Sequence, residues 1–136
     1  MTPNDVKTLI ATYTENVWNK ASVAAMDRYY TPDYVHHDVS RPDVTTLDGY
    51  KQWARDLLAG LSQLHVAIDD LVAEEGKAVK RWTATGIHAN TFAGIAPTQR
   101  RVSFSGVSTY RLDGNKIVES WYLYDLFGLL QQLNSK

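Results

Sequence analysis

The sequence predicts an α+β domain, with helices first and consecutive antiparallel strands after. Two early stretches repeat apolar residues at helical spacing: Val6, Leu9, Ile10, Tyr13 and Val17, then Tyr50, Trp53, Leu57, Leu58, Leu61 and Leu64. From His65 onward the period falls to two, and turn residues at Glu74–Lys77 and Asp113–Gly114–Asn115–Lys116 mark two hairpins. Helices laid on one side of a curved sheet leave an apolar pocket between the layers.

Each element has a local cause. Thr2, Pro3 and Asp5 read as an N-cap, a first-turn proline and an acidic first turn, opening a helix to about Asn19. Ser22 caps a shorter helix through Tyr30, which Thr31–Pro32 ends. Asp33–Asp38 reads as a short strand, and the loop after it, rich in turn residues, runs to Thr46. Leu47–Leu64 reads as the second strong helix. His65–Val72 and Ala78–Asn90 form one hairpin; Val102–Leu112 and Ile117–Asp125 form another, after a loop around Gly94–Arg100. Leu126, Phe127, Leu129, Leu130 and Leu133 form a short amphipathic end.

Asp125 is the most conspicuous residue. Aspartate is a poor strand former and costly to bury, yet this one closes an apolar strand four residues after Trp121. In a regular hairpin, odd residues of the second strand share a face with even residues of the first. Asp125 would then join Trp121, Leu123, Phe104 and Tyr110 on the oily side. Ser103, Ser105, Thr109, Arg111, Ser120, Tyr122 and Tyr124 would form a wetter face, available to a second copy of the chain. The competing structural role for Asp125 is an N-cap for the segment that follows.

Composition narrows the function. With 136 residues and a net charge of −1, the chain reads as one domain, 1–136, with no basic run for nucleic acid or an anionic membrane. No stretch reaches membrane-spanning length, no secretion signal opens the sequence, and zero cysteines suit a reducing, cytoplasmic setting.

Several words in the sequence carry a family resemblance: Tyr34–Val35–His36–His37–Asp38, Gly86–Ile87–His88, Phe92–Ala93–Gly94–Ile95–Ala96–Pro97–Thr98, Asp113 to Trp121, and Asp125 followed by Leu126-Phe127-Gly128-Leu129-Leu130-Gln131-Gln132-Leu133. In this order they resemble the SnoaL-like polyketide cyclases (ester cyclases) of the nuclear transport factor 2-like superfamily. The resemblance implies a cone-shaped fold, with a curved, mostly antiparallel sheet and the N-terminal helices on its concave face. It also implies a homodimer, and a cofactor-independent intramolecular aldol ring closure on a hydrophobic polyketide-like substrate. Asp125 corresponds to the family's catalytic aspartate, and His37 to a substrate hydrogen-bond partner. Two words depart from the family pattern: Ala96–Pro97–Thr98–Gln99 replaces Pro-Pro-Thr-Gly, and Gly86–Ile87–His88 replaces Gly-Thr-His.

An aldol closure needs a base for an acidic CH and an acid for the new alkoxide, and a carboxylate desolvated against aromatics suits both. His36 and His37 point to opposite strand faces, so one enters the pocket. His88 could donate to a substrate carbonyl, while Trp53, Phe104, Tyr110 and Trp121 would wall the pocket. A metal site from His36, His37, Asp38, His65 and His88 lacks compact ligand spacing, and none is assigned. Three alternatives remain: a ketosteroid-isomerase-like enzyme with Tyr110 facing Asp125; an epoxide-hydrolase-like enzyme, for which Arg41–Asp43 and Arg111–Asp113 lie unpromisingly in loops; and a non-catalytic binding or dimerising domain.

Overall fold

The computed structural model describes residues 1–135, and the last residue of the expected 1–136 domain lies outside them. Helix α1 (Pro3–Tyr13) opens with a capping box, in which the Thr2 hydroxyl accepts from the Asp5 N–H and the Asp5 carboxylate accepts from Thr2. The helix then widens into a π-helical turn, Thr14–Asn19, where Thr14 turns its hydroxyl back to the Ile10 carbonyl. The expected second short helix is a 3₁₀ segment, Val23–Arg28. Strand β1 (Tyr30–Asp38) therefore starts three residues earlier than expected.

Helix α2 (Leu47–Gly60) is capped by Thr46, whose hydroxyl accepts from the Gly49 N–H. It stops short of the expected Leu64 because Leu61 pairs with His88 as the first residue of strand β2 (Leu61–Glu74). Leucine suits a helix, but here sheet pairing overrides propensity. Strands β3 (Lys77–His88), β4 (Arg101–Asp113) and β5 (Lys116–Tyr124) complete a five-stranded sheet in the order β1-β5-β4-β3-β2. Every neighbouring pair is antiparallel except β1 with β5. Helices α1 and α2 cover one face, with Val6, Ile10, Tyr13, Tyr50, Ala54 and Leu57 buried against it. This is the expected α+β architecture.

One residue in β5 overturns the facing predicted for the final hairpin. Leu112 pairs with Ile117, but Arg111 pairs with Glu119, so Val118 is extra. A β-bulge of this kind switches parity. Beyond it, even residues face inward: Ser120, Tyr122 and Tyr124 are buried, while Trp121 is 40% and Leu123 64% exposed. The expected wet face is thereby split, with Tyr122 and Tyr124 turned inside and Thr109 and Arg111 left on the outer surface.

Asp125 follows this switch to the exposed side. It is the N-cap of helix α3 (Leu126–Asn134), its Oδ1 accepting from the Gly128 N–H at 2.9 Å. The expected burial beside Trp121, Leu123, Phe104 and Tyr110 is not what forms.

Gly106 on β4 lets the inner aromatics close over the sheet. A Cβ there would lie 2.5 Å from Trp82 Cζ2 and 2.8 Å from Tyr124 Cβ. Gly106→Ala should therefore cost about 1–3 kcal/mol through forced shifts of both rings, read as a lower urea midpoint with unchanged slope.

Candidate functional site

Between helices and sheet lie two adjoining hollows. The outer one, about 420 Å³, is walled by Leu57, Phe92, Phe104, Leu129 and Leu130, with Arg41, Asp56 and Tyr124 supplying its polar groups. The inner one holds about 30 Å³ and is almost wholly apolar, lined by Trp18, Leu64, Trp82, Ala84 and Tyr122 with the methylene chain of Lys80. Trp53, Leu57 and Phe104 line both, and so form the neck between them. The outer volume lies in the range of small-molecule sites. Its rim is built from α3 and from the loop at Thr91–Gly94, where Phe92 and Ile95 close a small backbone bridge.

Strand alternation brings a phenol and a carboxylate together at the sheet side of the outer hollow. Tyr124 lines it, and its hydroxyl donates to Asp38 Oδ2 at 2.9 Å. Asp38 is buried, and its Oδ1 accepts from the backbone N–H groups of Ser40 (2.8 Å) and Arg41 (3.2 Å). Burial, followed by the Asp38 charge, pushes the Tyr124 hydroxyl well above the ordinary phenol range, so it keeps its proton.

Beyond Tyr122 the phenols form a cluster. Tyr50 and Tyr122 meet at 2.6 Å, Tyr13 reaches them at 3.0 and 3.2 Å, and Trp18 Nε1 donates to the Tyr13 hydroxyl at 2.9 Å. Tyr110 approaches Tyr122 at 3.4 Å. Burial pushes the Tyr50 and Tyr122 hydroxyls far up, leaving neutral hydrogen-bonding groups. For Tyr110 burial also dominates, while the nearby Lys80 charge works in the opposite direction.

The histidines divide differently from the family-based expectation. His36 is the inward one: it stacks on Tyr50 at 4.3 Å between ring centroids, and its Nδ1 meets the Tyr34 hydroxyl at 2.6 Å. Burial lowers its pKa to about 3, so it is neutral. His37 lies outside, stacked on Trp121 at 5.1 Å and bonded to Glu119 at 2.7 Å. His88 is fully buried but does not line either hollow. Its Nδ1 accepts from the Thr98 N–H at 3.2 Å, which fixes the proton on Nε2, a buried donor with no partner among the described residues.

Of the residues expected to make the site, Trp53 and Phe104 line it, and Tyr110 stands behind its floor. His37, Trp121 and Asp125 lie on the outer surface. Tyr110 and Asp125 therefore face opposite sides, and the isomerase-like arrangement does not form. Arg41 pairs with Asp43 at 3.0 Å on an exposed loop and Arg111 with Glu119 at 3.0 Å, so neither supplies a deep Asp–Arg–Asp set. Among the described residues no three His, Asp or Glu side chains converge as metal ligands, and no helix is long and apolar enough to cross a membrane.

Sequence reasoning missed Asp38, Tyr124 and Lys80 as inward groups, and alternation alone left the choice between His36 and His37 open. A signal existed for Lys80: it alone carries charge among Ala78, Lys80, Trp82, Ala84 and Gly86, alternate residues of one strand face.

The comparisons agree with this architecture. The family model of SnoaL-like polyketide cyclase matches residues 8–133, and the chain belongs to that family. It is similar to a protein of Acidithiobacillus ferrooxidans assigned as a polyketide cyclase, at 28% identity, 95% and 94% coverage of the two chains and a TM-score of 0.85. It is also similar to AclR of Streptomyces galilaeus, assigned as a hydroxylase, at 26% identity, 96% coverage of each chain and a TM-score of 0.84. A SnoaL-like polyketide cyclase from Jannaschia, 17% identical with a TM-score of 0.89 over 99% and 95% of the chains, shares the fold. No curated protein matches significantly.

His36 makes stability depend on pH. Its pKa falls from 6.5 unfolded to about 3 folded, so between these values the unfolded chain binds the extra proton. The contribution of neutral His36 is fully present above pH 6.5 and is lost as pH falls toward 3, with a slope approaching about 1.4 kcal/mol per pH unit. Urea unfolding of wild type and His36→Phe at several pH values should show a flatter dependence in the variant.

Proposed function

We propose that the protein catalyses proton transfer at an enolisable carbon of a hydrophobic ketone or ester, in a cofactor-independent intramolecular aldol ring closure. One observation supports this above the rest: a mostly apolar hollow of about 420 Å³ carries a phenol backed by a buried carboxylate, Tyr124 and Asp38. As a substrate proton moves to Tyr124 Oη, the phenol's own proton moves to Asp38 Oδ2, leaving an enolate. The enolate carbon then attacks the second carbonyl, forming the ring C–C bond and an alkoxide. Reversal of the relay returns the proton to that oxygen. The apolar walls keep water from competing with either transfer.

Asp125 gives a second reading of the same chemistry. It sits between Tyr124 and Leu126, both on the wall of the hollow, and it matches the family's catalytic position. Its N-cap bond engages Oδ1, and Oδ2 makes no hydrogen bond among the described residues.

Deuterium exchange into the activated CH of a β-keto ester, followed by NMR, separates the two. Wild type should accelerate exchange, and Tyr124→Phe and Asp38→Asn should each lower the rate by roughly 100-fold or more. Asp125→Ala should keep the rate and lose about 1 kcal/mol of stability through the missing cap. A rate lost only with Asp125 would transfer the role to that carboxylate. No acceleration by wild type would leave a small-molecule-binding domain.

The proposal includes a homodimer formed through the outer sheet face. Trp121, Leu123 and Val107 are exposed there beside Arg81–Asp69 and Arg111–Glu119 pairs, a surface of both signs that can complement itself about a two-fold axis. Leu123→Glu should convert a sedimenting dimer to monomer. A wild-type monomer at micromolar concentration would rule the interface out.

A further inference from the structure

One small side chain leaves room for the inner cavity. Ala84 is buried on the inward face of β3, paired across the sheet with Val66 on one side and Phe104 on the other. All three line the cavity and form its wall on the sheet side. The single methyl of Ala84 leaves open the space that the larger side chains of Trp18, Leu64 and Trp82 enclose.

Behind the neck, four lining side chains have polar ends, and each is engaged elsewhere. The Trp18 indole N–H donates to the Tyr13 hydroxyl at 2.9 Å, and that of Trp82 to Ser108 Oγ at 2.9 Å. The Tyr122 hydroxyl meets that of Tyr50 at 2.6 Å, and the Lys80 ammonium donates to Thr14 Oγ1 at 2.9 Å. What faces the cavity is carbon. A buried water needs about two to four polar partners, which carbon walls do not offer. At roughly 10–15 Å³ for a water-sized group, the 30 Å³ of space takes one or two carbon atoms and no ring.

We infer that the inner cavity is the subsite for a short, unbranched alkyl terminus of the ligand, a methyl or ethyl group, and that Ala84 sets its length. The ligand class is a hydrophobic ketone or ester carrying that terminus at one end of its apolar body. Moving the alkyl group past the neck takes its carbon out of water, whereas a hydroxyl or carboxylate there would lose its water and gain no partner. The alkyl end acts as a depth stop, holding the reacting part of the ligand beside Tyr124 in the outer hollow. This deepens the proposed ring closure, and it rests on reading the outer hollow as the ligand site.

Calorimetric titration with 2-naphthamide and its 6-methyl, 6-ethyl, 6-propyl and 6-butyl derivatives tests it without any turnover. The amide keeps the polar end free of alkyl groups, so only the 6-substituent can fill the cavity. Each of the first two carbons should tighten binding by wild type about fourfold, the scale of one buried CH₂. Propyl and butyl should bind no better than ethyl. Among variants with a native near-ultraviolet circular dichroism spectrum, Ala84→Val should lose the gain from ethyl, and Ala84→Gly should extend it to propyl. Wild-type affinity that climbs steadily to butyl, or stays flat across the series, would overturn the subsite and leave the outer hollow as a ligand site. Neither comparison needs a variant. A wild-type tail profile in either folded variant would overturn it too, and a raised urea midpoint in that Ala84→Val protein would mark the cavity as a packing void. Binding of none of the compounds would overturn the pocket reading itself and this inference with it.

Discussion

Opposite Arg111 and Leu112, strand β5 spends three residues, Ile117, Val118 and Glu119, where a regular ladder would spend two. That extra residue determines what the interior is made of. Before it, Ile117 packs inward; after it, Ser120, Tyr122 and Tyr124 do. Strand β1 lies parallel beside β5, with His36 opposite Ser120 and Asp38 opposite Tyr122, so it adds His36 and Asp38 to the same face. Without the bulge the interior would receive Trp121 and Leu123 in place of two phenols. Both the carboxylate–phenol pair and the tyrosine cluster depend on it.

A buried polar group left unpaired costs about 1–3 kcal/mol. Tyr13, Tyr50, Tyr110 and Tyr122 limit this by sharing, Tyr122 alone having hydroxyl neighbours on α1, α2 and β4, whereas the buried Tyr30 and Ser120 hydroxyls have no partner among the described residues. Such a network ties both helices to the sheet at one point and fixes the depth of the cavity above it. Lys80 stands at the edge of that network, its ammonium bonded to Thr14 and lying over the Tyr13 and Tyr110 rings.

The helices and hairpins were legible because their signals are periodic and local. Thr2 with Asp5 caps α1, and the apolar stripes of α1 and α2 face the sheet as their spacing implies. The site was less legible, for a geometric reason. A parity argument carries a face assignment along a strand only until a bulge, and Ile117–Val118, two adjacent β-branched residues, fits either side equally well. The same limit applied to His36 and His37. Alternation showed that one of them enters, but the choice depends on how β1 pairs with β5, a contact between residues more than eighty positions apart. Asp125 offered two local readings, buried acid or helix cap, and the switched parity realises the cap.

Polar and apolar surface are arranged lengthwise in the pocket. Tyr124, hydrogen-bonded to Asp38, stands on the wall of the outer hollow, while the inner cavity beyond the Trp53–Leu57–Phe104 neck is lined almost wholly by carbon. A ligand with one apolar end would place that end past the neck, because every polar atom carried inward would lose its water and meet no partner. Its polar part would then stay beside Tyr124. Orientation follows from desolvation, and the same walls that set it would keep water from the group held against the phenol.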